Sequence, residues 1–212
     1  MIKKSYKKPL YWPKALKHLH NNDLVMSRLI ERHKTKSFLV SVNPVFVTFI
    51  KIIIGQQISI AVANSIEKKV QDKIGRITPK RILKISDNEL RKCGLSYRKI
   101  DYIKGVARIL ESDNNYFTKL DKMNDSKAIE ELTKLHGIGP WSAEMFLIFH
   151  FNRQNILPLG DIGLINSICK NYHIKKDHFK KEIIKLKENW DPYCTVATWY
   201  LWRDIDEDVV QY

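Results

Sequence analysis

Leu135-His136-Gly137-Ile138-Gly139-Pro140-Trp141-Ser142-Ala143-Glu144-Met145-Phe146-Leu147-Ile148-Phe149-His150, followed after a short loop by Leu157-Pro158-Leu159-Gly160-Asp161, decides the fold of this 212-residue chain. Gly137 and Gly139 bracket one apolar residue, Pro140 suits the first position of a helix, and the residues after it are helix-compatible. The stretch therefore reads as a tight hairpin feeding a helix N-terminus. Two glycines let the backbone come close to another molecule, and the unsatisfied N–H groups of the new helix point the same way, which suits a phosphate. Upstream, Asp125 or Ser126 is placed to cap a short helix carrying Ile129, Leu132 and Leu135 on one face. The unit is helix, hairpin, helix.

Lysine and arginine number 37 against 23 aspartates and glutamates, a formal net charge of +14. That balance favours a polyanion, either nucleic acid or an anionic membrane surface, although a solvated lysine-rich surface gives the same count. No apolar stretch approaches the ~18 residues of a membrane span. The longest, residues 45–54, is interrupted by Thr48 and Lys51. Lys3, Lys4, Lys7 and Lys8 are followed by Pro9, Trp12 and Pro13, without the apolar middle region of a secretory signal. The expectation is a soluble intracellular protein, cytoplasmic and nucleoid-associated, or nuclear in a eukaryote, with no membrane partner. Cys93, Cys169 and Cys194 are far apart and odd in number, so free thiols are expected. None of the seven histidines belongs to a His-Glu-x-x-His or similar set, and no metal site is expected.

Outside the central stretch the apolar spacing is helical almost everywhere. Residues 1–13 form a basic, proline-punctuated arm, and 13–20 and 23–32 follow as short helices. Asn43-Pro44 reads as a cap and first-turn proline ahead of an apolar segment at residues 45–54. Its β-branched content suits a strand, but its length and its 3-4 spacing favour a buried helix. Ser59, Thr78-Pro79 and the Ser86/Glu89 pair each start a further helix, and Tyr97 opens another through Leu110. Residues 162–170, 176–187 with Asp177 as cap, and 192–202 with Asp191 as cap complete the set. No alternating strand is present, so the fold class is all-α, about ten helices in two closely packed lobes around the helix-hairpin-helix motif. No linker forces a boundary: residues 1–212 read as one domain, with 1–42 as arm and first helices and 43–204 as the core.

At this point the chain resembles the helix-hairpin-helix superfamily of DNA base-excision glycosylases, and within it the DNA-3-methyladenine glycosylase II branch. Four segments carry the resemblance: Ile53 to Ser59 (Ile-Ile-Gly-Gln-Gln-Ile-Ser), Cys93 to Lys99 (Cys-Gly-Leu-Ser-Tyr-Arg-Lys), Leu135 to Ala143, and Trp190-Asp191-Pro192-Tyr193 through Trp199-Tyr200-Leu201-Trp202. The resemblance implies a monofunctional glycosylase that flips an alkylated purine of the 3-methyladenine or 7-methylguanine type out of duplex DNA and leaves an abasic site. By position, Asp161 is the family's catalytic carboxylate, which stabilises an oxocarbenium-like state or orients water. Read without the motif, Asp161 is a helix N-cap. Bifunctional relatives carry a lysine where this chain has Trp141, so no Schiff-base strand cleavage is implied. The four closely spaced cysteines of the iron-sulfur branch are missing, and no cluster or other cofactor is expected. A monovalent cation held by hairpin carbonyls is the one ion the resemblance admits.

The same resemblance places Trp141, Met145 and Trp199 at the base pocket, Tyr97 at the wedge that fills the vacated gap, and Gly137, Ile138 and Gly139 on the DNA backbone. The alternative for Trp199 is core packing, and for Tyr97 a surface helix start. Trp12 reads either as a pocket residue or as a surface anchor. His136 is placed to assist a phosphate contact. Gln56 and Gln57 either bond backbone where the lobes join or touch the strand opposite the lesion. Met145 stands in place of a pocket tyrosine, Cys194 in place of an arginine, and Gly160 in place of a second acid, and a compact form is implied by the short segment before Val45. The implied partner is damaged double-stranded DNA, met by a monomer. Two other readings stay open: excision of a mismatched or otherwise damaged base, and a helix-hairpin-helix module that binds DNA without chemistry.

Overall fold

A computed structural model describes residues 8–34, 39, 43–113 and 115–205. Lys3, Lys4 and Lys7 of the basic arm lie outside the described residues. In chain order the helices are α1 (Trp12–Asn22), α2 (Leu24–Arg32), α3 (Val45–Gly55), α4 (Ile60–Ile74), α5 (Pro79–Lys84), α6 (Asp87–Lys92), α7 (Tyr97–Ser112), α8 (Tyr116–Asp121), α9 (Asp125–Thr133), α10 (Pro140–Phe149), α11 (Ile162–Asn171), α12 (Phe179–Trp190) and α13 (Cys194–Arg203). A single 3-10 turn, Lys176–His178, precedes α12, and no strand occurs among the described residues. The all-α class stands, with more helices than the apolar spacing suggested. The one not foreseen, α8, is a single short element whose Phe117 and Leu120 are buried.

The described residues form two compact units, 43–151 and the pair of segments 8–39 and 152–205. In the first, α3 is apolar over most of its surface, with Lys51 paired to Glu67 at 3.1 Å, and packs against α4, α7 and α10. A helix this apolar is stable only when enclosed. Phe49 stacks on Phe146 with ring centroids 4.1 Å apart, and Phe117 closes the cluster 5.0 Å from Phe49. The β-branched run at residues 45–54 is therefore a buried helix.

The second unit is built around polar tethers inside an aromatic core. Asp23 Oδ1 accepts the N–H groups of Val25 (2.9 Å) and Met26 (3.0 Å), capping α2, while its Oδ2 accepts Tyr172 Oη (2.7 Å) and Trp190 Nε1 (2.9 Å). Four donors fill the four acceptor positions of one carboxylate. Asp204, past the end of α13, accepts Arg32 Nη1 at 2.5 Å, Asn171 Nδ2 at 3.1 Å and Lys170 Nζ at 3.2 Å. Burial works to raise the Asp204 pKa, but these donors outweigh it and hold the carboxyl below the ordinary carboxylate value.

Several caps differ from expectation. Asn124, not Asp125 or Ser126, caps α9 through Oδ1 and the Lys127 N–H at 2.9 Å, which leaves Asp125 in the first turn. Pro44 occupies the cap of α3 and no side chain bonds there, so Asn43 is not a cap. Asp177 lies inside the 3-10 turn, and α12 starts without a side-chain cap. Asp191 does not cap α13: a turn closed by Tyr193 N–H on Trp190 O (2.6 Å) moves the helix start to Cys194, whose N–H donates to Asn155 Oδ1 at 3.3 Å. Asp191 instead accepts Asn155 Nδ2 at 2.6 Å.

Candidate active site

The hairpin between α9 and α10 is set by one glycine that no other residue replaces. Gly137 has φ +83°, and a Cβ there would meet the Tyr102 ring of α7 at 2.1 Å. The left-handed region costs an L-residue roughly 1–2 kcal/mol, and the ring leaves no room for a side chain. Ile138 is buried and its N–H donates to Leu135 O at 3.0 Å, closing the turn. Gly139 is the N-cap of α10, exposed, with Pro140 at the first position and no side chain bonding the cap. First-turn N–H groups of a helix have no intrahelical acceptor, so this end offers donors and positive potential to an anion. Next to it, His136 Nδ1 lies 3.0 Å from Asp101 Oδ2 and its ring meets Tyr102 edge-on.

The other conspicuous segments of the first unit surround this hairpin. Ser96 caps α7 by accepting the Lys99 N–H at 3.2 Å, and Gly94, at φ +101°, makes the preceding turn. Tyr97, the first residue of α7, is 62% exposed, and the Arg91 guanidinium lies 4.7 Å from its ring centroid. Arg91 also donates to Leu95 O at 2.7 Å, which fixes the loop that presents Tyr97. Gln57 is exposed and left-handed, φ +59°, at the turn after α3. Such a conformation costs an ordinary residue about 1–3 kcal/mol. Trp141 is partly exposed on the first turn of α10, whereas Met145, one turn on, is 1% exposed.

In the second unit Asp161 is the N-cap of α11. Its Oδ1 accepts the Leu164 N–H at 2.7 Å, its backbone oxygen accepts Ile165 N–H at 3.0 Å, and its own N–H donates to Pro158 O at 3.0 Å. The carboxylate is thereby held in one orientation at the positive end of a helix. Gly163 matters to that orientation: a Cβ there would lie 3.1 Å from Asp161 Oδ1 and 3.3 Å from Ile205 Cδ1. Ile162, beside Asp161, is 73% exposed. Trp199 is 2% exposed, between the edge of Trp12 and the Arg203 guanidinium 4.3 Å from its ring, while Trp202 on the same helix is partly exposed. Trp12 is fully buried against Trp199 and Tyr200, which corrects the surface-anchor reading: an aromatic at the start of α1 is worth more enclosed than solvated. Burial pushes the Cys194 thiol up to about 12, which keeps it in the protonated form.

The structure thus places Gly137, Ile138, Gly139, Trp141 and Met145 together on the hairpin and α10, with Tyr97 on α7 of the same unit. Asp161 and Trp199 belong to the other. Residue spacing missed Gly163 and the tether made by Lys99. The first had a signal, a glycine inside a helix's first turn, and the second had none within reach of local pattern. Gln56 bonds backbone, one of its two readings, at the Gly137 carbonyl of the same unit. Among the described residues no group of three His, Cys, Asp or Glu side chains is arranged to hold a metal ion, and no helix is long and apolar enough to cross a membrane.

Residues 50–192 match the family described as HhH-GPD superfamily base excision DNA repair protein. DNA-3-methyladenine glycosylase 1 of Schizosaccharomyces pombe is 33% identical, over 73% of this chain and 69% of its own length. Among solved structures, the DNA-3-methyladenine glycosidase of Bacillus halodurans is 33% identical with a TM-score of 0.72, covering 89% of this chain and 88% of that one. The 3-methyladenine DNA glycosylase Mag1 of S. pombe, solved in complex with abasic DNA, is 27% identical with a TM-score of 0.73, covering 93% of this chain and 100% of that one.

Proposed function

The chain belongs to the HhH-GPD superfamily of base excision DNA repair proteins, and from that premise we propose that it is a monofunctional DNA glycosylase releasing alkylated purines of the 3-methyladenine and 7-methylguanine type from duplex DNA. The observation that carries this reading is the likeness, over nearly the whole of both chains, to 3-methyladenine glycosylases of a bacterium and a yeast, one of them bound to abasic DNA. Abasic DNA is the product of such a reaction.

The chemistry follows from the residues. Water adds to the sugar C1′ as the bond from C1′ to the purine nitrogen breaks, the bonding electrons leaving with the base and the water's proton passing to solvent. An alkylated purine already carries positive charge, so it departs without a dedicated general acid. What remains to be stabilised is the cationic sugar, and a fixed carboxylate beside it does that work. Asp161, oriented by the α11 N-terminus, fills this role. The α10 N-terminus, whose Gly139 cap no side chain bonds, grips a backbone phosphate. Trp141 occupies the position of the lysine that strand-cleaving relatives need, so the abasic product is left intact. Trp141 and Tyr97, both exposed in part, are aromatics available to an unstacked base and to the gap it leaves. The backbone carbonyls of the hairpin, Leu135 O and Gly137 O among them, are oxygen ligands of the kind a monovalent cation takes, and such an ion would add positive charge beside the phosphate. The protein acts as a monomer on double-stranded DNA.

The test is incubation of the protein with methylated duplex DNA, with free bases separated by chromatography and strand breaks scored with and without alkali. Release of 3-methyladenine or 7-methylguanine with breaks only after alkali is expected. Tight binding without release of any base overturns the reading and leaves a DNA-binding module. Release confined to mismatched or oxidised substrates moves it to another branch.

A further inference from the structure

The geometry points to Gln56 as a positioning residue that locks the phosphate-gripping hairpin from behind. Its side-chain amide has two N–H bonds and spends both across the hairpin: Nε2 donates to Gly137 O at 3.0 Å and to Ser142 Oγ at 2.9 Å. One acceptor lies in the turn, the other in the first turn of α10, so a single planar group bridges the two arms. The Gly137–Ile138 peptide is then held at both ends, its carbonyl by Gln56 and its N–H by Leu135 O. A peptide plane with both groups bonded cannot rotate without breaking one of them, and the donors of the α10 N-terminus keep their outward aim.

Gln56 is itself anchored. Its N–H donates to Ile53 O at 3.4 Å, and Lys99 Nζ donates to Gln56 O at 2.9 Å and to Ile54 O at 2.7 Å. Through these two bonds the Lys99 amine, partly buried, serves as an internal cap on the carbonyls at the end of α3. Two side chains thereby join three separate segments: the turn after α3, the first turn of α7 and the hairpin. The bridge reads directly against its opposite. With the amide turned over, the Gln56 carbonyl would face the Gly137 carbonyl, an arrangement of two acceptors.

The inference rests on the glycosylase reading only for what the hairpin grips, DNA phosphate. Its test is the affinity of wild type and Gln56→Leu for an abasic-site duplex, measured by fluorescence anisotropy across a salt series, with the thermal midpoint of each protein recorded. Leucine keeps the bulk and removes both donors. The expected result is an affinity about tenfold weaker and a slope of log affinity against log salt smaller by about 0.9, the signature of one lost phosphate contact. A residue that merely supports the fold would lower the thermal midpoint and leave the slope where it was, and an unchanged slope in folded Gln56→Leu overturns the inference. Ser142→Ala, which removes one acceptor, is the second variant: a slope reduced in the same direction supports the bridge, and a wild-type slope and affinity overturn it should Gln56→Leu fail to fold. Wild-type base release is scored separately. Its failure would end the glycosylase reading while the slopes still decide the role of Gln56.

Discussion

The N-termini of α10 and α11 make an instructive pair, because the same local structure carries opposite electrostatics. Each follows a short loop containing glycine and each exposes the positive end of a ten-residue helix. At α10 the cap is Gly139 and no side chain bonds there. At α11 the cap is Asp161, whose Oδ1 takes the Leu164 N–H. The first end has no side-chain cap, while the second holds a carboxylate of its own. In the reaction proposed above the first would meet the anionic backbone and the second the sugar that becomes cationic as it loses its base. What separates them is the residue at one capping position.

The largest effect expected from breaking this contrast comes from Asp161→Asn. Asparagine caps helices as well as aspartate does, so α11 and the fold should persist while the charge goes. Single-turnover release of 7-methylguanine should fall by about a hundredfold or more, within the range seen when one preorganised electrostatic group is lost. Melting within a few degrees of wild type would confirm that the loss is chemical, and unchanged release would remove Asp161 from the mechanism.

Gly137→Ala attacks the other end. It adds a Cβ at φ +83° inside the Tyr102 ring, and left-handed strain with overpacking should destabilise the protein by about 3 kcal/mol in urea denaturation. Affinity for abasic DNA should fall with it, because Tyr102 and the hairpin move together. Denaturation curves that superimpose on wild type would show the turn to be more plastic than its contacts suggest.

A finer probe of the α11 end is Gly163→Ala. The new Cβ stands 3.1 Å from Asp161 Oδ1, so the carboxylate must give by a few tenths of an ångström. Reaction rates are steep in such displacements, and a fall of roughly tenfold in single-turnover rate with little change in DNA affinity is expected. A fall in affinity without loss of rate would assign Gly163 to binding instead.

Smallest of all for activity is Asp204→Asn, which loosens the tether among α2, α11 and α13 and touches neither helix end. Because the folded-state pKa of Asp204 is lowered below 3.8, its contribution is present above that pH and is lost as pH falls through the folded value. Wild type should exceed the variant by about 1–2 kcal/mol at pH 6, and the gap should close below about pH 3.8. A gap that persists in acid would mean that the tether acts through shape and not through charge.

The helices themselves, the hairpin and the Asp161 cap were legible without a structure, because each depends on residues within a turn or two of one another. Ser59, Thr78, Ser86 and Asp23 cap as their types require. Asp161 caps α11, as its alternative reading held. Distance along the chain is what hid the rest. Gln56 meets Gly137 across 81 residues and Asp23 meets Trp190 across 167. Asn155, not its local rival Asp191, accepts the first N–H of α13. Trp12 and Trp199 are enclosed by each other, which no spacing rule could choose over a pocket. Local pattern determines where a helix starts and which end carries charge, for those energies are set by neighbouring atoms. Which partners close around a side chain is decided by packing alone, and packing brings together residues that the chain keeps apart.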